Sequence, residues 1–253
     1  MLTKFVSTRP TTASTIRREG RFYVGMAITV VATALVGFGP AVVDPSSRRA
    51  PMTWAVGVHG IVFGAWLVLF LAQALLATKG RMAVHRRLGY VGCGLAVLML
   101  VSGYATTIEM ARRGYDLSGD LFGDSGNMLM LMVFQLGDLL CFGSLVALAI
   151  LYRRRSDVHK RLMLLATVGG LMPAALSHII GHSAFLRGFP PAIILVPYTG
   201  FLFAGAVHDR LSRGHIHPVS LWVALAVFLF SNLRATVIGP SDAWRDFATW
   251  LIR

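Results

Sequence analysis

TWAVGVHGIVFGAWLVLFLAQALLA, residues Thr53 to Ala77, decides the fold. It contains no Asp, Glu, Lys or Arg. Wound as an α-helix at about 1.5 Å per residue it is longer than a hydrocarbon core of roughly 30 Å. A segment that enters lipid must satisfy its own peptide groups, and a single apolar run can do so only as a helix. Reading outward from this run, six comparable ones follow or precede it. They are Phe22 to Val43, Leu88 to Thr107, Met128 to Leu151, Leu162 to Phe185, Ala192 to Val207 and Val219 to Val237, the sixth in chain order being the shortest. The whole chain agrees: of 253 residues, 55% are hydrophobic and 14% charged, against about 25% charged in soluble proteins. Mean hydropathy is +0.66. A disordered chain, a disulfide scaffold and an ordinary soluble enzyme are excluded. The expected fold is an all-α bundle of seven transmembrane helices, one leading helix followed by three helical hairpins.

Charge gives the orientation. The net charge is +13, from 24 Lys and Arg against 11 Asp and Glu, and the cations stand beside the ends of the runs. With the N-terminus cytoplasmic, that side holds Lys4, Arg9, Arg17, Arg18, Arg21, Lys79, Arg81, Arg86, Arg87, Arg153, Arg154, Arg155, Lys160, Arg161, Arg210 and Arg213. This is the positive-inside pattern of an integral protein of a bacterial cytoplasmic membrane. Residues 1–21 then form a basic cytoplasmic tail, 22–237 the seven-helix domain and 238–253 an outer interfacial segment. The first twenty residues, basic and acid-poor until Glu19, share the character of a transit peptide but read more simply as that tail. The loop with Asp116, Asp120 and Asp124 falls outside, as does the C-terminus. There, Trp244, Phe247, Trp250 and Leu251 follow helical spacing after a cap at Ser241, as in a helix lying in the interface. Nucleic acid is not an expected partner, because no stripe of Arg and aromatic residues exists outside the spans. The bilayer and its anionic headgroups at the cytoplasmic face are. Cys93 and Cys141 lie in apolar runs without CxxC spacing and read as small buried side chains.

A repeat organises the chain. RMAVHRRL (Arg81 to Leu88) and RSDVHKRL (Arg155 to Leu162) agree at Arg, Val, His, Arg and Leu, and RGHIHPVSL (Arg213 to Leu221) keeps the Arg-x3-His spacing. Each copy follows a span returning to the cytoplasm and opens the next one.

The eight histidines fall into two layers on this topology. His59, His178 and His182 lie in the outer half; His85, His159, His208, His215 and His217 lie at cytoplasmic ends. His178 and His182, four apart, share a helix face, so His59 at the same depth could complete a three-histidine metal site. Asp138, in the middle of the fourth span, is a further candidate ligand, a hydrogen-bond partner that orients a ligand, or a proton acceptor. At that depth it needs a partner, for which Arg234, Gln135 or a histidine qualify. The same residues suit a b-type haem. Gly57, Gly60 and Gly64 flank His59, while Gly169, Gly170, Ala174, Ala175 and Gly181 flank His178, giving either clearance for a macrocycle or close helix packing. Pro173 is expected to kink the fifth span just before His178. His85 and His159, with His217, define a second cytoplasmic layer, or else anchor to phosphate headgroups.

HRRLG (His85 to Gly89), HKRLMLLA (His159 to Ala166) and HGIVFGAWLVLF (His59 to Phe70) resemble helix starts and spans of uncharacterised bacterial multi-pass membrane proteins, a likeness covering most of the chain and implying architecture alone. Histidines at two depths on several helices resemble cytochrome b561-type haem proteins, although here they do not fall as clean pairs on four consecutive helices. The order His59, Asp138, His178-x3-His182 is similar to that of the seven-helix zinc hydrolases of the ceramidase and adiponectin-receptor group. This chain departs from that group in having Ala55 four residues before His59 and two spans after the HxxxH. Of the last two likenesses, the first implies haem b on His59, His178, His182, His85 and His159, with a quinone or redox protein as electron partner; zinc or copper on His59, His178 and His182 is the alternative. The second implies metal-dependent hydrolysis of a lipid amide or ester. The remaining alternative is non-catalytic: a homo-oligomer, an assembly factor, a lipid-binding protein or a subunit of a larger membrane complex, with histidines that only hydrogen-bond.

Overall fold

The computed structural model describes residues 13–48, 52–114 and 128–253; the tail cations Lys4 and Arg9 and the acidic loop of Asp116, Asp120 and Asp124 lie outside them. The described residues are helical, with no strand among them. The helices are α1 (Ala13–Val43), α2 (Trp54–Thr78), α3 (Met82–Arg112), α4 (Met128–Leu151), α5 (Ser156–His182), α6 (Leu195–Arg213), α7 (Val219–Ile238) and α8 (Asp242–Ile252). Six of them, α1 to α5 and α7, are long and apolar enough to cross a membrane. The protein is therefore an all-α, multi-pass integral membrane protein.

The sixth drawn span is the exception. Pro191–Ile194 forms a tight 3-10 turn, and α6 then offers only Leu195 to Val207, about 20 Å of apolar helix, before His208, Asp209, Arg210 and Arg213. Elsewhere the helices outrun the apolar runs. α3 is 31 residues long, so it extends beyond the hydrocarbon at one or both ends. The C-terminal segment folds as expected: Ser241 Oγ accepts the Trp244 N–H (3.2 Å) and α8 follows. Its buried Ala248, the Trp244 Nε1 bond to the Leu129 carbonyl (2.7 Å) and the Arg112 Nε bond to the Ile252 carbonyl (2.8 Å) fasten it to α3 and α4.

α5 is the central helix, packed against α1, α4 and α6. Its Val168, Met172 and Ala175 are fully buried, and Thr167, also fully buried, takes the indole N–H of Trp66 (3.3 Å), whose ring meets Phe142 edge-on. Without a hydrophobic drive between helices in lipid, close approach is what holds them. α1 meets α5 backbone to backbone: a Cβ on Gly37 would stand 2.5 Å from the Ala175 carbonyl oxygen. Gly37→Ala is expected to destabilise the bundle by roughly 1–3 kcal/mol. Gly39→Ala, two residues on with nothing within 4 Å, is expected to be neutral. Thermal unfolding of both variants in detergent checks this, and equal melting points would contradict it.

One end of the bundle gathers the start of α1, the α2–α3, α4–α5 and α6–α7 turns and their basic residues, since Glu19 reaches Lys160 and Arg213 and Thr78 Oγ1 donates to the Gly20 carbonyl (3.3 Å). This is the end that the charge count places in the cytoplasm. Gly80, at φ 72°, turns α2 into α3, and Gly214, at φ 77°, ends α6 in the left-handed conformation suited to glycine.

Candidate functional site

Of the three histidines read as an outer layer, His178 and His182 share one face of α5 and His59 stands on α2. His178 packs on the Phe38 ring of α1 (centroids 4.6 Å) and His182 turns its Nδ1 to the His178 carbonyl (2.7 Å) one helical turn back. Their rings lie 5.9 Å apart. His59 stacks on Phe63 of its own helix (4.0 Å), and α2 packs against α1 and α3. Among the described residues no group of three or more His, Cys, Asp or Glu side chains is arranged to hold one metal ion.

Asp138 takes the first of the partners its depth required. Arg234 Nη2 stands 2.8 Å from its Oδ1, and both residues are buried. Arg234 also donates through Nη1 to the Phe134 carbonyl (2.8 Å) and through Nη2 to Ser231 Oγ (3.1 Å), and its cation lies 4.7 Å from the Phe230 ring centre. Gly137 makes room for it, because a Cβ there would collide with the guanidinium. The arginine sits where α7 widens to an i,i+5 turn, its carbonyl taking the Gly239 N–H (2.9 Å).

The histidines of the Arg-x3-His repeat give the clearest geometry. In the first two repeat copies the Arg is the residue before the new helix, and its carbonyl takes the N–H of the His (3.0 Å for Arg81–His85, 2.9 Å for Arg155–His159). The ring then turns back on the preceding helix: His85 Nδ1 meets the Gln73 carbonyl (3.3 Å), and His159 Nδ1 meets the Ala149 carbonyl (2.8 Å). A carbonyl only accepts, so each ring carries a proton on Nδ1, and it is Nε2 that bears the lone pair of the neutral form. Among the described residues neither Nε2 takes a hydrogen bond. The two hairpins bring the rings to 6.4 Å between centroids, 84° apart in plane. The third copy inverts this chemistry. His217 Nδ1 accepts the Val219 N–H (3.2 Å), so its proton is on Nε2, which donates to Asp157 Oδ2 (3.2 Å). Burial, then the charge of Arg161, holds the His217 pKa below its ordinary value against the opposing pull of Asp157 and Asp209.

Sequence reasoning placed Lys160 and Arg161 at the headgroups, but Arg161 is 2% exposed. It pairs with Asp209 (1% exposed) and donates through Nε to Asp209 Oδ2 (3.1 Å) and Ser220 Oγ (3.0 Å), while the Ser220 hydroxyl donates to Asp209 Oδ2 (2.5 Å). Beside it, buried Glu19 receives Lys160 Nζ and Arg213 Nε, each at 2.5 Å. This cluster ties the start of α1 to α5, α6 and α7. The signal available in the sequence was the pair of isolated acids, Glu19 in a basic tail and Asp209 between His208 and Arg210. A separate open groove between α3 and α4, lined by Leu100, Tyr104, Leu136 and Leu140, is apolar and contains none of the histidines.

No family model, curated protein or solved structure matches this chain.

Proposed function

We propose that this is a redox protein of the bacterial cytoplasmic membrane that holds haem b or a copper ion between His85 and His159 at its cytoplasmic face. The observation that carries the reading is the pair of imidazoles with both Nδ1 protons committed to backbone carbonyls. That is how protein ligands are oriented for a metal, the outer hydrogen bond fixing tautomer and ring while Nε2 faces the ion. Two imidazoles that share one ion at about 2 Å would have their centres about 5–6.5 Å apart. The observed 6.4 Å lies within that range. Such a group, when bound, would supply one-electron chemistry, and His85 and His159 would hold it, one from each of two hairpins of like design.

In this reading the bundle has seven spans, with α6 completing the set, N-terminus in and C-terminus out. Lys79, Arg81, Arg86, Arg87, Arg153, Arg154 and Arg155, all exposed around the pair, meet anionic headgroups. A quinone or a redox protein is the electron partner. Asp138 serves as the counter-charge of Arg234. The zinc hydrolase reading gains no support, since it needs His59 beside His178 and His182.

Histidine variants purified without chelator test the site. His85→Ala or His159→Ala is expected to remove the Soret band or the bound copper, with at least a tenfold loss of affinity, while His59→Ala and His178→Ala keep it. Loss with the outer pair and retention with the inner pair would reverse the assignment.

A further inference from the structure

The two hairpins of the repeat differ in one respect. In the α4–α5 turn, His159 is held by a backbone carbonyl alone, that of Ala149. In the α2–α3 turn the corresponding carbonyl belongs to Gln73, whose side chain also acts: its Nε2 donates to the backbone carbonyl of His85 (3.1 Å) while the His85 ring donates back to the Gln73 carbonyl (3.3 Å). Main chain and side chain of one residue thus grip main chain and ring of the other. Gln73 sits in an apolar helix, where an amide that only packed would cost free energy without return. Its Oε1 is buried and takes no hydrogen bond among the described residues.

We infer that Gln73 is the positioning residue of the His85 ligand, setting its tautomer and direction through this two-point grip. This rests on the reading of His85 and His159 as ligands. The grip itself is a property of the metal-free protein. Without the side-chain bond, the start of α3 is free to turn relative to α2, and the ring loses its alignment with the Gln73 carbonyl. His159, on the other hairpin, keeps its own bond.

The test uses the full-length protein in lipid nanodiscs with 15N-labelled histidine, metal-free, comparing wild type with Gln73→Leu, which keeps the bulk and removes the amide. The wild type is expected to show the Nδ1-protonated form at both His85 and His159, assigned from single His variants. Gln73→Leu is expected to turn His85 into a mixture of tautomers and leave His159 unchanged. An unaltered His85 signal in a folded Gln73→Leu protein would overturn the inference, whatever the metal does. As a second measurement, Cu2+ is titrated and followed by electron paramagnetic resonance. Wild type is expected to show two imidazole nitrogens on copper, and Gln73→Leu about tenfold weaker binding with one. Equal two-nitrogen binding in both proteins overturns the role of Gln73; a wild type that binds no copper on the pair, with the tautomer effect intact, overturns the ligand reading instead.

Discussion

Asp209→Leu is expected to be among the most damaging single changes in the molecule, lowering stability by about 3–5 kcal/mol. The reason is what it leaves behind. Arg161 has almost no contact with water, and Asp209 takes two of its guanidinium nitrogens while Ser220 bridges them. Without the carboxylate a charge remains buried with one hydroxyl and the Asp157 carbonyl (2.7 Å) for company. Removing both partners is different, because replacing a buried ion pair by apolar side chains of similar volume is often neutral. The double variant Asp209→Leu, Arg161→Met is therefore expected to recover most of the loss. Melting curves of the three proteins in one detergent decide it. A single variant that melts with the wild type would mean that water reaches Arg161.

The second large effect belongs to the middle of the membrane. Asp138→Leu strands Arg234 where no water reaches it, and a loss of roughly 3 kcal/mol or more is expected. Gly137→Ala is expected to act on the same arginine from the other side, since the added methyl occupies the space of the guanidinium and its δ-carbon. Asp138→Leu with Arg234→Met should restore stability while Gly137→Ala in that background becomes nearly harmless. That last comparison, read from unfolding midpoints, separates the pair from general packing. Independent losses for Gly137→Ala in both backgrounds would contradict it.

Both predictions concern charges, and charges are where sequence and structure part. Run length and the absence of ionisable residues made α2 legible from Thr53 onward, and the Ser241 cap made α8 legible in the same local way. The partner of Asp138 was also within reach, because an acid at that depth must find one of few cations, and Arg234 was among them. Glu19 and Lys160 are 141 residues apart, and nothing local to either shows that the start of α1 lies against the start of α5. Arg153, Arg154 and Arg155 are exposed, as cations at a helix end are expected to be, whereas Arg161, six residues on, points inward.

The histidines show the same limit. Four-residue spacing put His178 and His182 on one face, and the structure agrees; periodicity is silent on which helix that face meets, and α1 stands there with Phe38. His85 and His159 were visible as the fixed points of a repeat, but whether they faced headgroups or each other depended on how two hairpins pack. The shared spacing of the third copy concealed an opposite tautomer, because Pro218 and Asp157 give His217 different neighbours.

The most direct test of the central claim is the absorption spectrum and metal content of the protein purified in detergent without chelator or added metal, before and after dithionite. The account predicts a Soret band that shifts on reduction, or about one copper per chain, and the loss of either in the His85→Ala, His159→Ala double variant. A colourless wild-type protein with neither haem nor copper, folded and unchanged by the double substitution, would contradict it and leave the two histidines as fasteners of their helical turns.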